Sequence, residues 1–109
     1  MTDTYALTGK TAIVTGGGKG LGKTLARFLL EAGMNVAICG RTETAVKQTV
    51  EQLDALFPGN VIGQVCDVSK SADVAGFVRK VKDTFGELHV LINNSGFGKE
   101  TLIWETSEE

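Results

Sequence analysis

The chain has 109 residues, of which 42% are hydrophobic and 22% are charged, and its net charge at pH 7 is −2. These values fit one soluble globular domain and give no electrostatic reason to expect nucleic acid or an anionic membrane as a partner. No apolar run approaches the roughly 18 residues that a membrane-spanning helix needs, and the first residues lack the pattern of a signal peptide. We therefore expect a cytoplasmic protein.

Strand and helix patterns alternate along the chain with short connections. Four continuously apolar runs predict strands covered on both faces, at about 11–15, 36–39, 61–66 and 89–93. Apolar residues at helical spacing predict helices between them, at about 21–32, 43–57 and 72–85. This order predicts an α/β fold: a Rossmann-type, doubly wound parallel sheet, represented by its first four strands and three helices in the strand order 3-2-1-4.

The side-chain pattern also predicts how the helices begin, end and pack. Gly33 provides a stop for the first helix, and Ser71 is expected to be the N-cap of the third. The apolar stripe that we expect the first helix to bury is Leu21, Leu25, Phe28, Leu29 and Ala32.

The carboxyl-terminal residues have the pattern of a helix start. Ser107 is a suitable N-cap, and acidic residues follow it at Glu108 and Glu109. In the predicted strand order, the fourth strand would also have no outer neighbour, which leaves an open apolar edge at residues 90–92. We therefore expect residues 1–109 to form a nucleotide-binding domain that is truncated at its carboxyl end.

A glycine-rich stretch, from Thr15 to Gly22, joins the first strand to the first helix. Backbone N–H groups at the positive end of a helix dipole hold phosphate, so the stretch predicts a nucleotide site. One pattern that fits is the P-loop, Gly17-x-x-x-x-Gly22-Lys23-Thr24. The other is Thr15-Gly16-x-x-x-Gly20-x-Gly22, whereas the strict G-x-G-x-x-G spacing does not occur.

The ends of the other three strands distinguish the two patterns. They carry Arg41 after Gly40, then Asp67 with Val68, and finally the run 93–96, which reads Asn-Asn-Ser-Gly. Together with the glycines, these residues resemble the short-chain dehydrogenase/reductase family from about residue 7 to residue 109. A P-loop enzyme would account for the glycines and for Asp67 as an acid beside magnesium, but not for Arg41 or the run 93–96.

The resemblance implies a site for a nicotinamide dinucleotide. Gly16 would make the tight turn, Gly20 would admit the pyrophosphate and Gly22 would allow close packing of helix on strand. Asp67 would accept a hydrogen bond from the adenine amino group, and the alternative is that it only caps its loop. Thr15 is expected to hydrogen-bond to the run 93–96, which could instead serve only to brace the sheet. The cofactor-binding residues implied are Thr15, Gly16, Gly18, Lys19, Gly20, Leu21, Gly22, Arg41, Asp67, Val68, Asn94, Ser95 and Gly96.

Two cations indicate which cofactor is bound. NAD-binding proteins place an acidic residue about 20 positions after the glycine loop, where it accepts from the ribose 2′-hydroxyl. Here that position is Gly40, with Arg41 next to it and Lys19 inside the loop. A 2′-phosphate would attract these cations, so the sequence predicts NADP(H), with solvated surface cations as the alternative.

The family transfers hydride between nicotinamide and a carbonyl or alcohol, with a serine and a Tyr-x-x-x-Lys pair as its acid–base groups. None of these is identifiable here, since the only tyrosine, Tyr5, is followed four residues later by Gly9. We expect the chain to supply the cofactor-binding half, inactive alone, of an NADP-dependent oxidoreductase that acts on a small molecule and assembles as a homo-oligomer. A non-enzymatic NADP-binding module, a P-loop nucleotide hydrolase and an enoyl- or dienoyl-CoA reductase remain alternatives.

Cysteine and histidine give no metal-site pattern. Cys39 and Cys66 lie in apolar segments and are expected to be buried thiols. His89, the single histidine, is expected to be a partly buried strand residue.

Overall fold

The computed structural model describes residues 7–16 and 20–93 in full, and residues 101–104 by their backbone. Strands and helices alternate as predicted, and no boundary of the seven predicted elements differs from the predicted one by more than one residue. The elements are β1 (Thr11–Thr15), α1 (Gly20–Glu31), β2 (Asn35–Gly40), α2 (Glu43–Leu56), β3 (Val61–Val65), α3 (Ser71–Phe85), β4 (Val90–Asn93) and β5 (Thr101–Trp104).

The strands form one sheet in the order β3-β2-β1-β4-β5. The first four are parallel, as the doubly wound fold requires, so the predicted fold class and strand order are confirmed. β5 was not predicted, and it pairs antiparallel to β4, with Val90 opposite Trp104 and Asn93 opposite Thr101. The expectation of an open edge at residues 90–92 is therefore wrong. An antiparallel return needs only a short connection, whereas a parallel neighbour would have needed a long crossover.

The core has two layers, one on each face of the sheet. On one face, side chains such as Val14 and Ile38 pack with those of α1 and α2. On the other, Ile13 and Ala37 pack with Phe77 of α3. Consecutive strand residues alternate between these layers, which explains why β1 and β2 are apolar almost throughout. In the part of the chain that the structure describes, no helix is both long and apolar enough to span a membrane.

The buried face of α1 differs from the predicted stripe. Leu21 is 50% exposed and Phe28 is 61% exposed. The helix instead turns a face with small residues towards the sheet, which lets it approach the strands closely. The residues buried there are Gly22, Ala26, Leu29 and Leu30, and Leu25 is partly buried against the same layer. Two apolar stripes overlap on this helix, and helical spacing alone selected the wrong one.

The ends of the helices confirm one prediction and correct another. Gly33 follows α1 with φ of 92°, a left-handed conformation that favours glycine and ends a helix. Ser71 is not the N-cap of α3, because the helix begins at Ser71 and Lys70 occupies the cap position without a side-chain cap bond. The carboxylate of Asp73, in the first turn, bonds instead to the connection that precedes the helix.

Candidate functional site

The carboxyl ends of four parallel strands meet at one edge of the sheet. Thr15 lies beside Cys39 on one side and Asn93 on the other, and Cys39 in turn lies beside Gln64. The chain segments that leave these strands therefore emerge side by side. Open α/β sheets bind ligands at this edge, and the described candidate residues after β1, β2 and β3 all follow strands that end there.

The turn after β1 begins at Gly16. Its N–H donates to the carbonyl of Cys39 at 2.7 Å, which continues the β1–β2 pairing by one residue. Its φ of 69° then turns the chain in a conformation that a residue with a side chain rarely adopts. Gly16 thus occupies the tight turn that the sequence predicted. Gly18 and Lys19 lie outside the described residues.

The start of α1 is open on one side and closed on the other. Gly20 has φ of 51°, and a Cβ atom placed on it would meet no atom of the described residues within 4 Å. Gly22, two residues on, is buried. The first turn of α1 contains no acidic residue, so no carboxylate of that turn offsets the positive end of the helix dipole. This geometry suits an anionic group beside Gly20.

The two residues that the P-loop pattern needs most have other partners. Lys23 donates from its ammonium group to the side-chain oxygen of Gln52 on α2. The hydroxyl of Thr24 donates to the carbonyl of Gly20 in its own helix, at 3.3 Å. A P-loop would direct the lysine to terminal phosphates and the threonine to magnesium. These contacts disfavour the P-loop interpretation.

Arg41 and Asp67 lie near each other after neighbouring strands. The pKa of the Asp67 carboxyl is lowered, chiefly because its oxygen accepts hydrogen bonds from the hydroxyl and backbone N–H of Ser69. The positive charges of Lys70 and Arg41 contribute further. Arg41 itself is exposed. The structure therefore places two of the predicted site residues after neighbouring strand ends, which are joined by the hydrogen bond from Cys66 N–H to the Gly40 carbonyl.

The Asp67 side chain organises its own loop, which is the alternative role that the sequence left open. One carboxylate oxygen, Oδ1, accepts the N–H of Ser69 at 3.0 Å and its hydroxyl at 2.7 Å. The described residues donate no hydrogen bond to the other oxygen, Oδ2, so the carboxylate can serve both roles. Val68, beside it, is 36% exposed.

The hydrogen bond predicted from Thr15 is present. Its hydroxyl donates to the side-chain oxygen of Asn93 at 2.8 Å, which ties the end of β1 to the first residue of the run 93–96. Asn94, Ser95 and Gly96 lie outside the described residues. The candidate residues that the structure does describe are thus found at the predicted edge.

Sequence reasoning missed Ser69 and Asp73. Ser69 donates two hydrogen bonds to Asp67, and the Oδ2 atom of Asp73 accepts the backbone N–H of Asp67 at 3.0 Å. The Asp-x-Ser spacing of 67–69 is typical of a turn closed by an aspartate side chain, and this signal was available in the sequence.

The cysteines and the histidine take no part in the site. Cys39 and Cys66 are buried and free, as predicted. Burial raises the pKa of the Cys39 thiol to about 12 and raises that of Cys66 as well, so both thiols are unreactive at neutral pH. His89 is partly buried beside β4, where its Nδ1 atom accepts the N–H of Thr11 at 3.0 Å. Within the described residues, no cluster of three potential metal ligands occurs.

The sequence and fold match those of known proteins. Residues 10–109 match the family model described as short chain dehydrogenase. Among curated proteins, the chain is 37% identical over 103 residues to the 3-oxoacyl-[acyl-carrier-protein] reductase FabG of Chlamydia muridarum, which covers 94% of this chain and 42% of that protein.

Two solved structures illustrate the likeness of the fold. A short chain dehydrogenase/reductase from Burkholderia phymatum in complex with NAD has a TM-score of 0.75 and 34% identity, over 78% of this chain and 30% of that one. A single-substitution variant of actinorhodin polyketide ketoreductase with NADPH has a TM-score of 0.76 and 31% identity, over 89% of this chain and 36% of that one. The chain spans less than half the length of each of these three proteins. Because nearly all of its residues match the family model, the chain belongs to the short chain dehydrogenase family.

Proposed function

We propose that this chain is the cofactor-binding half of an NADP-dependent oxidoreductase that transfers hydride between the nicotinamide ring and a carbonyl or alcohol of a small molecule. The observation that carries the cofactor assignment is the end of β2, where Gly40 has no side chain and the exposed Arg41 follows it. Family membership supports the class of reaction. The cofactor would supply the hydride, and this chain would bind and orient its adenosine and pyrophosphate portion.

The described residues fit such a cofactor. The open space beside Gly20 admits a phosphate to the amino end of α1. The Oδ2 atom of Asp67, which accepts no hydrogen bond from the described residues, can accept one from an adenine amino group, with the backbone of Val68 beside it. Arg41 forms no ion pair with the described residues, and its charge contributes only weakly to the lowered pKa of Asp67. Lys19 would join Arg41 at the 2′-phosphate.

The choice of NADP over NAD depends on charge. The two solved relatives carry NAD in one case and NADPH in the other, so the assignment must come from this chain's own residues. A carboxylate at the end of β2 would repel a 2′-phosphate, whereas Arg41 attracts it. One charge-assisted hydrogen bond contributes about 1.5–3 kcal/mol, which corresponds to roughly 10- to 150-fold in affinity.

Calorimetric titration of the purified chain with NADPH, NADH and Mg-ATP tests the proposal. We expect NADPH to bind more tightly than NADH, and Arg41→Asp to remove or reverse that preference. Arg79 on α3 is exposed, so Arg79→Asp serves as a control that makes the same charge reversal elsewhere on the surface. Unchanged discrimination in Arg41→Asp would contradict the NADP assignment, and tight binding of Mg-ATP without NADPH would contradict the whole proposal.

Catalysis is expected to need residues that this sequence does not contain. None of its residues matches the family's Tyr-x-x-x-Lys pair, so we expect NADPH binding by this chain without turnover of a carbonyl substrate. An assay of NADPH oxidation with a panel of ketones and aldehydes checks this expectation.

A further inference from the structure

The connection between β3 and α3 is held by hydrogen bonds that converge on one residue, Asp67. Its carbonyl accepts the N–H of Lys70 at 2.9 Å and closes a turn. Its own N–H donates to the Asp73 carboxylate at 3.0 Å, and its side chain accepts two bonds from Ser69. Just before it, Cys66 is bonded to the end of β2. Both the backbone and the side chain of Asp67 are therefore held in place.

This arrangement leaves one oxygen of the carboxylate available. Oδ1 is engaged by both donors of Ser69, which fixes the rotation of the carboxylate plane. Oδ2 is the remaining acceptor, and the described residues make no hydrogen bond to it. The bonds from Ser69 also lower the pKa of Asp67, so this carboxyl is ionised at neutral pH and can accept but not donate.

An oriented acceptor of this kind distinguishes purine bases by the group at position 6. The amino group of adenine donates to a carboxylate oxygen, whereas the oxo group of hypoxanthine offers only lone pairs and is repelled. We propose that Ser69 and Asp73 are positioning residues that orient Asp67 to select a 6-amino purine over a 6-oxo purine. The inference rests on the proposed function, because it assumes that the base of the bound nucleotide lies beside Asp67.

Asp73 and Ser69 hold different parts of Asp67. Asp73, in the first turn of α3, accepts the backbone N–H of Asp67 and so fixes the position of its Cα and Cβ atoms. Ser69 holds the carboxylate itself. Both side chains are exposed, so replacing either one removes hydrogen bonds without opening a cavity in the core.

The test measures a ratio of affinities, using AMP and IMP as probes and the full chain as the protein. We expect the wild type to bind AMP more tightly than IMP. Ser69→Ala and Asp73→Ala should each lower the AMP-to-IMP ratio, by about tenfold if one charge-assisted hydrogen bond loses its alignment. Ser69→Thr keeps the hydroxyl and Asp73→Asn keeps an acceptor oxygen, so both should retain the wild-type ratio.

The possible outcomes distinguish a failure of this inference from a failure of the proposed function. If the wild type binds neither nucleotide, the proposed function fails and this inference fails with it. If the wild type prefers AMP but Ser69→Ala and Asp73→Ala weaken both nucleotides equally, the residues have only a structural role, and the inference is overturned while the proposed function stands. Melting temperatures of all four variants, measured alongside, verify that each is folded at the assay temperature.

Discussion

The hydroxyl of Thr15 donates a hydrogen bond to the side-chain oxygen of Asn93, 2.8 Å away, and so joins the ends of two central strands. The two residues are 78 positions apart in the chain but directly opposite in the parallel pairing of β1 with β4. Asn93 is the last residue of β4 and the first of the Asn-Asn-Ser-Gly run. The bond thus holds the candidate edge of the sheet together at its centre.

Thr15→Val should destabilise the protein. Thr15 is buried, and valine has nearly the same shape but cannot donate to Asn93. Asn93 is partly buried, and the loss of this hydrogen bond costs about 0.5–1.5 kcal/mol. Urea denaturation measures the free energy of unfolding, and Thr15→Ser, which keeps the hydroxyl, should lose less. Equal losses in the two variants would mean that packing rather than this hydrogen bond accounts for the effect.

Thr11→Val should change the free energy of unfolding in the opposite direction, although it is the same substitution in the same strand and on the same face. The hydroxyl of Thr11 is buried and has no hydrogen-bond partner among the described residues. Replacing a buried, unsatisfied hydroxyl by a methyl group removes a desolvation cost, so we expect the free energy of unfolding to rise by about 1 kcal/mol. The same urea measurement applies. Destabilisation as large as that of Thr15→Val would show that the Thr11 hydroxyl does have a partner.

The first four strands were predictable because each is a mostly apolar run followed by a turn signal. The return strand β5 was not, since the four residues Thr101–Trp104 are too few to show a period. Leu21 and Phe28 were misplaced because the pattern of α1 fits two faces, and the structure buries the face that contains Ala26 and Leu30.

The geometry of the candidate site was predictable where a single position determines it, as at the tight turn of Gly16. Where two segments meet, the family resemblance predicted the bond from Thr15 to Asn93, but the contacts within the β3–α3 connection were not predicted. The bond from Asp67 to Asp73 exists because the first turn of α3 comes back to the end of β3, and no periodicity in the sequence records that approach.

Gly40→Asp should shift the preference from NADPH towards NADH. A Cβ atom on Gly40 would meet the nearest side-chain atom, Cγ2 of Val46, at 3.4 Å, so a side chain fits there. The new carboxylate would repel a 2′-phosphate and accept from a 2′-hydroxyl. We expect NADPH affinity to fall by about tenfold or more, as measured by calorimetry, while Gly40→Ala controls for the added Cβ. An unchanged NADPH-to-NADH ratio in Gly40→Asp would contradict binding of the ribose at this strand end.

Ser69→Ala should raise the pKa of Asp67 towards its ordinary value, because the hydrogen bonds from Ser69 are the main cause of its depression. The folded-state pKa is below the unfolded one, so Asp67 contributes stability above the unfolded pKa and loses it as the pH falls through the folded pKa. The variant should therefore be less stable than the wild type at neutral pH. This difference in stability should shrink at low pH, where Asp67 is protonated in both proteins. Carboxyl ¹³C NMR titration follows Asp67 directly. Ser71→Ala is the matched control, since Ser71 is exposed at the start of α3, and overlapping titration curves for all three proteins would contradict the role assigned to Ser69.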